Sequence, residues 1–419
     1  MLESFKSAFK VSELRTKLLY TLAMIFIFRL GAHIPVPGVN TERFAELVNS
    51  GVIFGFFDII SGGALKNFSV FAMGIMPYIN ASIILQLLTV VIPHLERLQK
   101  EGEEGRKKIT QYTRYLTVVL AFIQGIGMVI GVGGSLQNPG PLTYVMTALT
   151  ITAGTTFLMW VGEQITEKGI GNGISLLIFA GIVSRVPAGA ARLGEYLSAG
   201  TINVLSLALL AVIGAVVIAG VVAVQEGQRR VPVQYAKRVV GRRVYGGQTT
   251  HLPLRVNQAG VMPIIFASSL LMFPETIFKM FSGSAVSIFY SKYLGWGTVM
   301  HTVLYALLII GFTFFYSAVV MNPTDVADNI KKYGGFIPGL RPGRPTAEYI
   351  SRIMSRVTLA GAIFLALIAI LPNFVLLTTR IPNIYFGGTS LLIVVGVALD
   401  TMKQVESHLL MRSYQGFIR

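Results

Sequence analysis

Long apolar stretches recur along the chain, each separated from the next by a polar segment. An α-helix needs about 20 residues to cross a hydrocarbon core of about 30 Å. This pattern predicts ten membrane helices, of which the fifth is short. They lie at about residues 18–34, 71–92, 115–133, 145–162, 172–186, 205–225, 257–274, 298–321, 355–372 and 388–408. We therefore expect an all-α polytopic membrane protein.

The ten spans divide into five plus five around residue 200. With an odd number of spans in each half, the second half starts on the opposite side of the membrane, which is typical of an inverted repeat. A short repeated sequence supports this division. GIMP at 74–77 and GVMP at 260–263 lie in matching spans, although four residues can match by chance. Each carries a proline that a straight helix does not need. We predict an N-terminal half at 1–200 and a C-terminal half at 201–419.

Composition supports a membrane location. The 419 residues are 53% hydrophobic and 13% charged, against about 25% charged in soluble domains. The net charge is +16, and most basic residues fall in alternate loops. Because such loops stay on the cytoplasmic side, we predict both termini in the cytoplasm. Cysteine is absent, which excludes disulfides and thiol chemistry.

Two inside loops, 226–256 and 322–354, carry much of the positive charge. GRRVYGGQ at 241–248 indicates a tight turn that presents Arg242 and Arg243. YGGFIPGLRPGRP at 333–345 indicates a fixed, hairpin-like excursion with Arg341 near its tip. Such loops could dock a large anionic partner, RNA or an acidic protein face. They could equally serve membrane orientation and contact with anionic lipid.

The segment FFDIISGGALKNFSV at 56–70 is too short to cross the membrane and too apolar to prefer water. A re-entrant piece fits, because irregular backbone at membrane depth survives only inside protein or beside a water-filled cavity. An interfacial loop on the outer surface is the alternative.

Several spans carry uncharged polar groups. Two interpretations stay open, hydrogen bonds between helices or a weak polar seam that can open. The groups are Asn80, Ser82, Gln86, Gln124, Asn257 and Gln258.

Arg29 lies near the outer end of span one, where we expect it to reach towards the lipid headgroups.

Catalytic motifs are absent from the sequence. The five histidines form no ligand pair, no nucleophile elbow or phosphate-binding loop occurs, and GIGNGIS at 169–175 indicates a tight turn feeding span five. We therefore expect no enzymatic activity, no metal site and no cofactor.

Long motifs containing polar residues give the chain a specific resemblance to one protein family. Over about residues 5–410 it resembles the SecY family, the pore subunits of the bacterial protein-conducting channel. The motifs are FRLGAHIPVPGVN (28–40), GIMPYINASIILQLLTVVIP (74–93), EGRKKITQYTRY (104–115), GEQITEKGIGNGIS (162–175), YAKRVVGRRVYGGQTTHLPLRVNQAGVMP (235–263), PGLRPGRPTAEYI (338–350) and FGGTSLLIVV (386–395).

The resemblance implies ten helices in two inverted halves around a central pore with a re-entrant plug helix. It implies a lateral gate between spans two and three and spans seven and eight, containing Asn80, Gln86, Gln124 and Asn257. The implied pore ring is Ile75, Ile79, Ile174, Ile178, Ile265 and Ile393. The implied plug is Phe57, Asp58, Ile59, Ile60, Ser61, Gly62, Gly63, Ala64, Leu65, Lys66 and Asn67.

The resemblance also implies a function. An unfolded secretory chain would cross through the ring, and hydrophobic segments would leave sideways into lipid, driven by the ribosome or the SecA ATPase. Arg242, Arg243 and Arg341 would contact those partners. SecE and SecG would clasp the pore subunit in the bacterial plasma membrane, with signal sequences, nascent chains and anionic lipid as further ligands. A secondary transporter with inverted repeats and a membrane scaffold are the alternatives.

Overall fold

The computed structural model describes residues 9, 11–41, 44, 58, 61–131, 136, 138–200, 203–235, 238–240, 243–245, 249–280, 285–295, 298–379 and 388–416. Its N-terminal half holds helices α1 (Ser12–Gly31), α2 (Met76–Val91), α3 (Pro93–Lys100), α4 (Glu103–Gly131), α5 (Pro141–Lys168) and α6 (Gly173–Ser198).

Among those residues, the C-terminal half holds seven further helices. They are α7 (Val204–Glu226), α8 (Met262–Met280), α9 (Ala285–Tyr293), α10 (Val299–Val320), α11 (Pro323–Lys332), α12 (Arg344–Thr379) and α13 (Gly388–Gly416). Its strands are β1 (Gln228–Tyr235), β2 (Arg238–Val240), β3 (Arg243–Tyr245), β4 (Thr249–Arg255) and β5 (Gly335–Phe336).

A helix occupies each of the ten predicted spans. Among the described residues, six helices are long and apolar enough to cross a membrane, or seven if the bent pair α2–α3 is one span. Helix α1, for example, carries Glu13, Arg15, Lys17 and Arg29, which dilute its apolar stretch. The count of ten spans therefore stays a prediction.

The fifth span is longer than predicted. Helix α6 runs from Gly173 to Ser198, whereas the apolar pattern ended it at residue 186. Pro187 lies inside this helix, and a proline removes only one backbone hydrogen bond from a helix that its neighbours continue to hold. The prediction of a short fifth span was wrong.

Helices α2 and α8 begin in the same way. Gly74 and Gly260 have positive φ angles of 57° and 62°, and each helix starts two residues later, at Met76 and Met262. Both starts lie five residues beyond those predicted, because a glycine in the left-handed region ends the helix there. The prolines of GIMP and GVMP stand in first turns, where they fit without distortion.

Helix α2 ends in a sharp bend. Ile92 is extended, with φ −98° and ψ 112°, and Pro93 begins α3 at 100° to α2. The residue before a proline is driven towards extended backbone, so the sequence itself specifies the bend. Leu95 and Leu98 bury the apolar face of α3.

The two basic loops form one body rather than separate excursions. β1 pairs antiparallel with β4 and also with β5, whose register sets Tyr235 opposite Gly335. Val231, Val233, Leu254, Ile330, Ile337, Ile350 and Met354 fill its interior. We call β1, β4, β5, α11 and the start of α12 the cytoplasmic body, after the side of the membrane on which the charge pattern predicts it. Its sheet was not predicted from the sequence.

The turn at 169–175 is confirmed as the link into α6. Asn172 caps this helix by accepting a hydrogen bond from Ser175 N at 3.1 Å. Ile170 N donates to Thr21 Oγ1 and Gly171 N donates to Gln404 Oε1, at 3.1 and 2.9 Å. The turn therefore ties the first helix to the last.

Candidate functional site

One buried cluster lies between the two halves and receives side chains from both. Helices α2 and α6 contribute to it from the first half, and α8 and α13 from the second. Of the six predicted ring residues, five are buried members of this central cluster and Ile174 packs against it. The five are Ile75, Ile79, Ile178, Ile265 and Ile393, with exposed fractions of 2–6%.

The two halves supply matching positions to the central cluster. Ile79 N donates to Ile75 O at 3.2 Å, and Ile265 N donates to Val261 O at 3.3 Å. The donor and the acceptor lie five residues and one residue after Gly74 in the first half, and five residues and one residue after Gly260 in the second. Branched apolar side chains from both halves therefore enter one buried cluster at matching positions.

The 56–70 segment is seated directly on this cluster. Its described residues from Ser61 to Phe68 form a series of turns, so the expected helix does not extend over Ser61–Asn67. Gly62 and Gly63 have φ angles of 67° and 92°, which a right-handed helix does not allow. Phe57, Ile59 and Ile60 lie outside the described residues.

Apolar contacts hold the segment at two levels. Ala64 belongs to the central cluster, whereas Leu65 and Phe68 belong to an outer cluster with Val36, Val129 and Ile151. Val36 N donates to Phe68 O at 2.9 Å, and Val70 N donates to Ile34 O at 3.0 Å. The segment therefore joins the central cluster to the outer one.

Charged groups hold the same segment against α6. Asp58 forms an ion pair with Arg185, and Asp58 Oδ1 also accepts a hydrogen bond from Lys66 N at 2.7 Å. The two ion-paired side chains are 10% and 23% exposed. Pairs removed from water in this way are costly to separate, because each charge is left uncompensated.

Arg29 corrects our expectation of a headgroup contact. Its Nη1 donates to Gly62 O at 2.6 Å and to Ser184 Oγ at 3.1 Å. The guanidinium therefore turns inward, because a carbonyl freed by the glycine turn offers an acceptor. Arg185 was not among the predicted site residues, although an ionisable residue inside a predicted span is itself a signal of a functional site.

The predicted gate helices pack together. Helix α8 contacts both α2 and α4, and α10 contacts α8. Asn80 and Gln124 are buried and Gln86 is half-buried. Asn257 precedes α8, where its Nδ2 donates to Gly260 O at 2.8 Å. This group thus stabilises its own turn, which corrects the expectation that it stands within span seven.

Of the three predicted docking arginines, Arg341 and Arg243 lie within the described residues. Arg341 is exposed in the turn before α12, where its carbonyl accepts from Thr346 Oγ1 at 2.9 Å. Arg243 begins β3, with its backbone opposite Val240, and only its backbone is described. Arg242 lies outside the described residues. Three further arginines, which were not predicted as contacts, are exposed on β1 and β4: Arg229, Arg230 and Arg255.

No group of three or more His, Cys, Asp or Glu side chains within the described ranges could hold a metal ion.

Comparisons with known proteins agree with this arrangement. The SecY family pattern matches residues 69–402. The protein translocase subunit SecY of Halalkalibacterium halodurans is 50% identical over 431 aligned positions, covering 100% of both chains.

Solved structures share the fold at low sequence identity. One is a SecY protein whose plug domain stabilises the closed channel and maintains a membrane seal, with TM-score 0.67, 18% identity, and coverage of 94% of this chain and 92% of that one. Another is Sec61 in the canine ribosome–channel complex, with TM-score 0.61, 18% identity and the same coverages.

Proposed function

The chain belongs to the SecY family and is a protein-conducting channel, and we propose that unfolded polypeptides cross between its halves through the ring of six isoleucines. The observation that carries this proposal is the central cluster, where α2, α6, α8 and α13 direct apolar side chains into one interior. An apolar ring offers a passing chain no fixed polar partner, so chains of many sequences can slide through it.

The 56–70 segment is the plug in this proposal. It caps the central cluster through Ala64 and is held to the walls by Asp58, Arg185 and Arg29. Opening would separate α8 from α2 and α4, which gives apolar segments a sideways path into lipid. The polar groups Asn80, Gln86 and Gln124 line this seam, and their weak hydrogen bonds suit an interface that separates.

The driving force comes from outside the chain. Residues of the cytoplasmic body present exposed arginines, which suits an RNA or acidic protein partner. We assign this surface to the ribosome and to the SecA ATPase, with Arg242, Arg243 and Arg341 as contacts. The chain itself hydrolyses nothing, and the secondary transporter and the scaffold are set aside. SecE, SecG, signal sequences, nascent chains and anionic lipid complete the set of partners.

The proposed setting is the bacterial plasma membrane, with both termini in the cytoplasm. Residues 1–200 and 201–419 act as two halves that move apart, and the turn at 169–175 keeps them joined at the cytoplasmic end through Gln404.

Photocrosslinking to a stalled secretory chain tests this function. Probes at Ile79 and Ile393 should crosslink to the engaged chain. Leu205 on α7 is 81% exposed, so a probe there serves as the lipid-facing control and should give no crosslink.

The absence of crosslinks from both isoleucine positions would contradict a ring there, provided that protease protection of the stalled chain shows that it has engaged the channel. Equal crosslinking from Leu205 would contradict a central path. Either result would redirect the search to another route through the fold.

A further inference from the structure

The charges at the plug do not balance. Two guanidinium groups, Arg29 and Arg185, converge on a segment that offers them one carboxylate, Asp58, and one carbonyl, Gly62 O. Arg185 Nε is buried and has no hydrogen-bond partner among the described residues. Because an arginine has five N–H donors, this pair retains capacity for more acceptors than Asp58 supplies.

Arg185 also stands where a moving chain would pass. It lies seven residues after Ile178 on α6, and Arg192 lies seven residues further on. Residues seven apart are two turns apart on one helix face, at a spacing of about 10 Å. The face that contributes Ile178 to the central cluster therefore continues outward as a row of positive charge.

From this geometry, and resting on the proposed channel function, we propose that Arg185 and Arg29 form a binding site for carboxylates of the translocating polypeptide. At rest the channel's own Asp58 occupies the site. When the plug leaves, Asp58 is withdrawn and the two guanidinium groups face the path. Aspartate and glutamate side chains of the passing chain then take its place.

Carboxylates fit this site better than other acceptors. The guanidinium fork matches the two oxygens of a carboxylate, and such charge-assisted pairs are stronger than neutral hydrogen bonds. The resting occupant is itself a carboxylate on an irregular, glycine-containing segment. An acidic residue in an unfolded chain resembles that occupant in both charge and backbone freedom.

The test compares two stalled chains that differ only in a block of four residues, either Glu or Gln. An extended chain advances about 3.3 Å per residue, so the block is placed about three residues beyond the position that crosslinks to Ile178. Membrane vesicles carrying the full channel are used, and the driving force is then removed. The measured quantity is the half-time of backward release, followed by loss of protease protection.

We expect the Glu chain to be released about tenfold more slowly than the Gln chain, the ratio that a charged hydrogen bond supports. Arg185→Gln should bring the ratio of half-times towards one. Arg185→Lys, which keeps the charge, should retain much of it. Asp58→Asn should leave the ratio unchanged or raise it, because the competing carboxylate is gone.

The variants separate ligand binding from a simple loss of plug anchoring. Arg185→Gln and Asp58→Asn both break the resting ion pair, so a role confined to anchoring would shift the ratio equally in both. That result would overturn the proposal, as would a wild-type ratio of one. The Gln chain lacks the carboxylates, so its insertion and stalling in wild-type vesicles test the proposed channel function alone. If the Gln chain does not engage the channel, the proposed function has failed, independently of the carboxylate site.

Discussion

Two neighbouring glycines decide how closely the plug lies against helix α6. A Cβ at Gly62 would stand 2.9 Å from Gly181 Cα, and a Cβ at Gly63 would stand 2.9 Å from Arg185 Nη2. Both glycines also have positive φ angles. Glycine therefore permits both the turn and the close approach that set the ion pair of Asp58.

We predict that Gly62→Ala raises the resting ion conductance of the channel. The added methyl group must push the plug backbone away from Gly181, which weakens the seal. The measurement is the current through planar bilayers without a translocating chain.

Gly200→Ala provides a matched control for this variant. Its φ of 69° is close to the 67° of Gly62, but nothing lies within 4 Å of the new Cβ. Both variants carry the left-handed strain of about 1–2 kcal/mol, and we expect only Gly62→Ala to leak. Equal conductance in the two would show that contact with α6 is irrelevant to sealing.

At the scale of elements, the starts of α2 and α8 are the clearest structural sign of the repeat. Each follows a glycine with φ near 60° and places a methionine and a proline in the first turn. In both, an isoleucine one turn later reaches the central cluster. The two halves therefore share the backbone conformation that begins each helix, in addition to the similar sequences GIMP and GVMP.

We predict that Gly74→Ala and Gly260→Ala lower thermal stability by similar amounts. A Cβ meets nothing closer than 3.6 Å at Gly74 and 3.9 Å at Gly260, so the cost is backbone strain of about 1–2 kcal/mol in each. The measurement is the temperature at which half of the detergent-solubilised channel loses its fold.

Gly189→Ala is the comparison, since Gly189 lies inside α6 in open space. Alanine is favoured over glycine by about 1 kcal/mol in a helix interior, and this variant should be no less stable than wild type. Clearly different losses at Gly74 and Gly260 would contradict the equivalence of the two starts.

At the scale of the whole molecule, the cytoplasmic body collects positive charge from distant parts of the chain. β1 and β4 carry Arg229, Arg230 and Arg255, and the turn before α12 carries Arg341. Their common scaffold is the pairing of β1 with β5 and the cluster around Val233. A partner therefore meets one surface rather than two independent loops.

We predict that Arg341→Ala weakens binding of ribosomes to channel-containing vesicles by about two- to fivefold, the range for an exposed charge contact. The Arg341 side chain makes no ion pair within the described part of the chain, so its charge is free for a partner. The measurement is a binding titration by co-sedimentation.

Arg344→Ala is the matched control for docking. Arg344 lies three residues away, and its Nε already donates to Glu348 Oε1 at 3.0 Å. Its removal should change ribosome binding less than the removal of Arg341. The reverse order would place the contact on α12 instead of the preceding turn.

The sequence predicted where helices lie, because a helix occupies each of the ten apolar stretches, whereas the count of ten membrane spans stays a prediction. It placed the starts of α2 and α8 too early, because hydropathy does not register the positive φ angles of Gly74 and Gly260. It also missed the sheet, although Val231 and Val233 alternate with polar neighbours as a half-buried strand requires.

The ring residues could be predicted from the sequence, whereas the charged contacts of the plug could not. The ring isoleucines came from the resemblance, and only the fold brings them into one cluster. Asp58 and Arg185 are 127 positions apart, and Arg29 lies 29 positions before Asp58. Nothing local in the chain pairs these charges, so they emerged only from the packing of α1, α6 and the plug.

The union of β1 with β5 has a consequence for how the channel is made. About a hundred residues separate Tyr235 from Gly335, and bacterial and eukaryotic synthesis adds about 5–20 residues per second. For about 5–20 s after β1 has been synthesised, its second partner strand, β5, does not yet exist. On the proposed docking role, a newborn channel therefore lacks a finished docking face until α11 and β5 have been made.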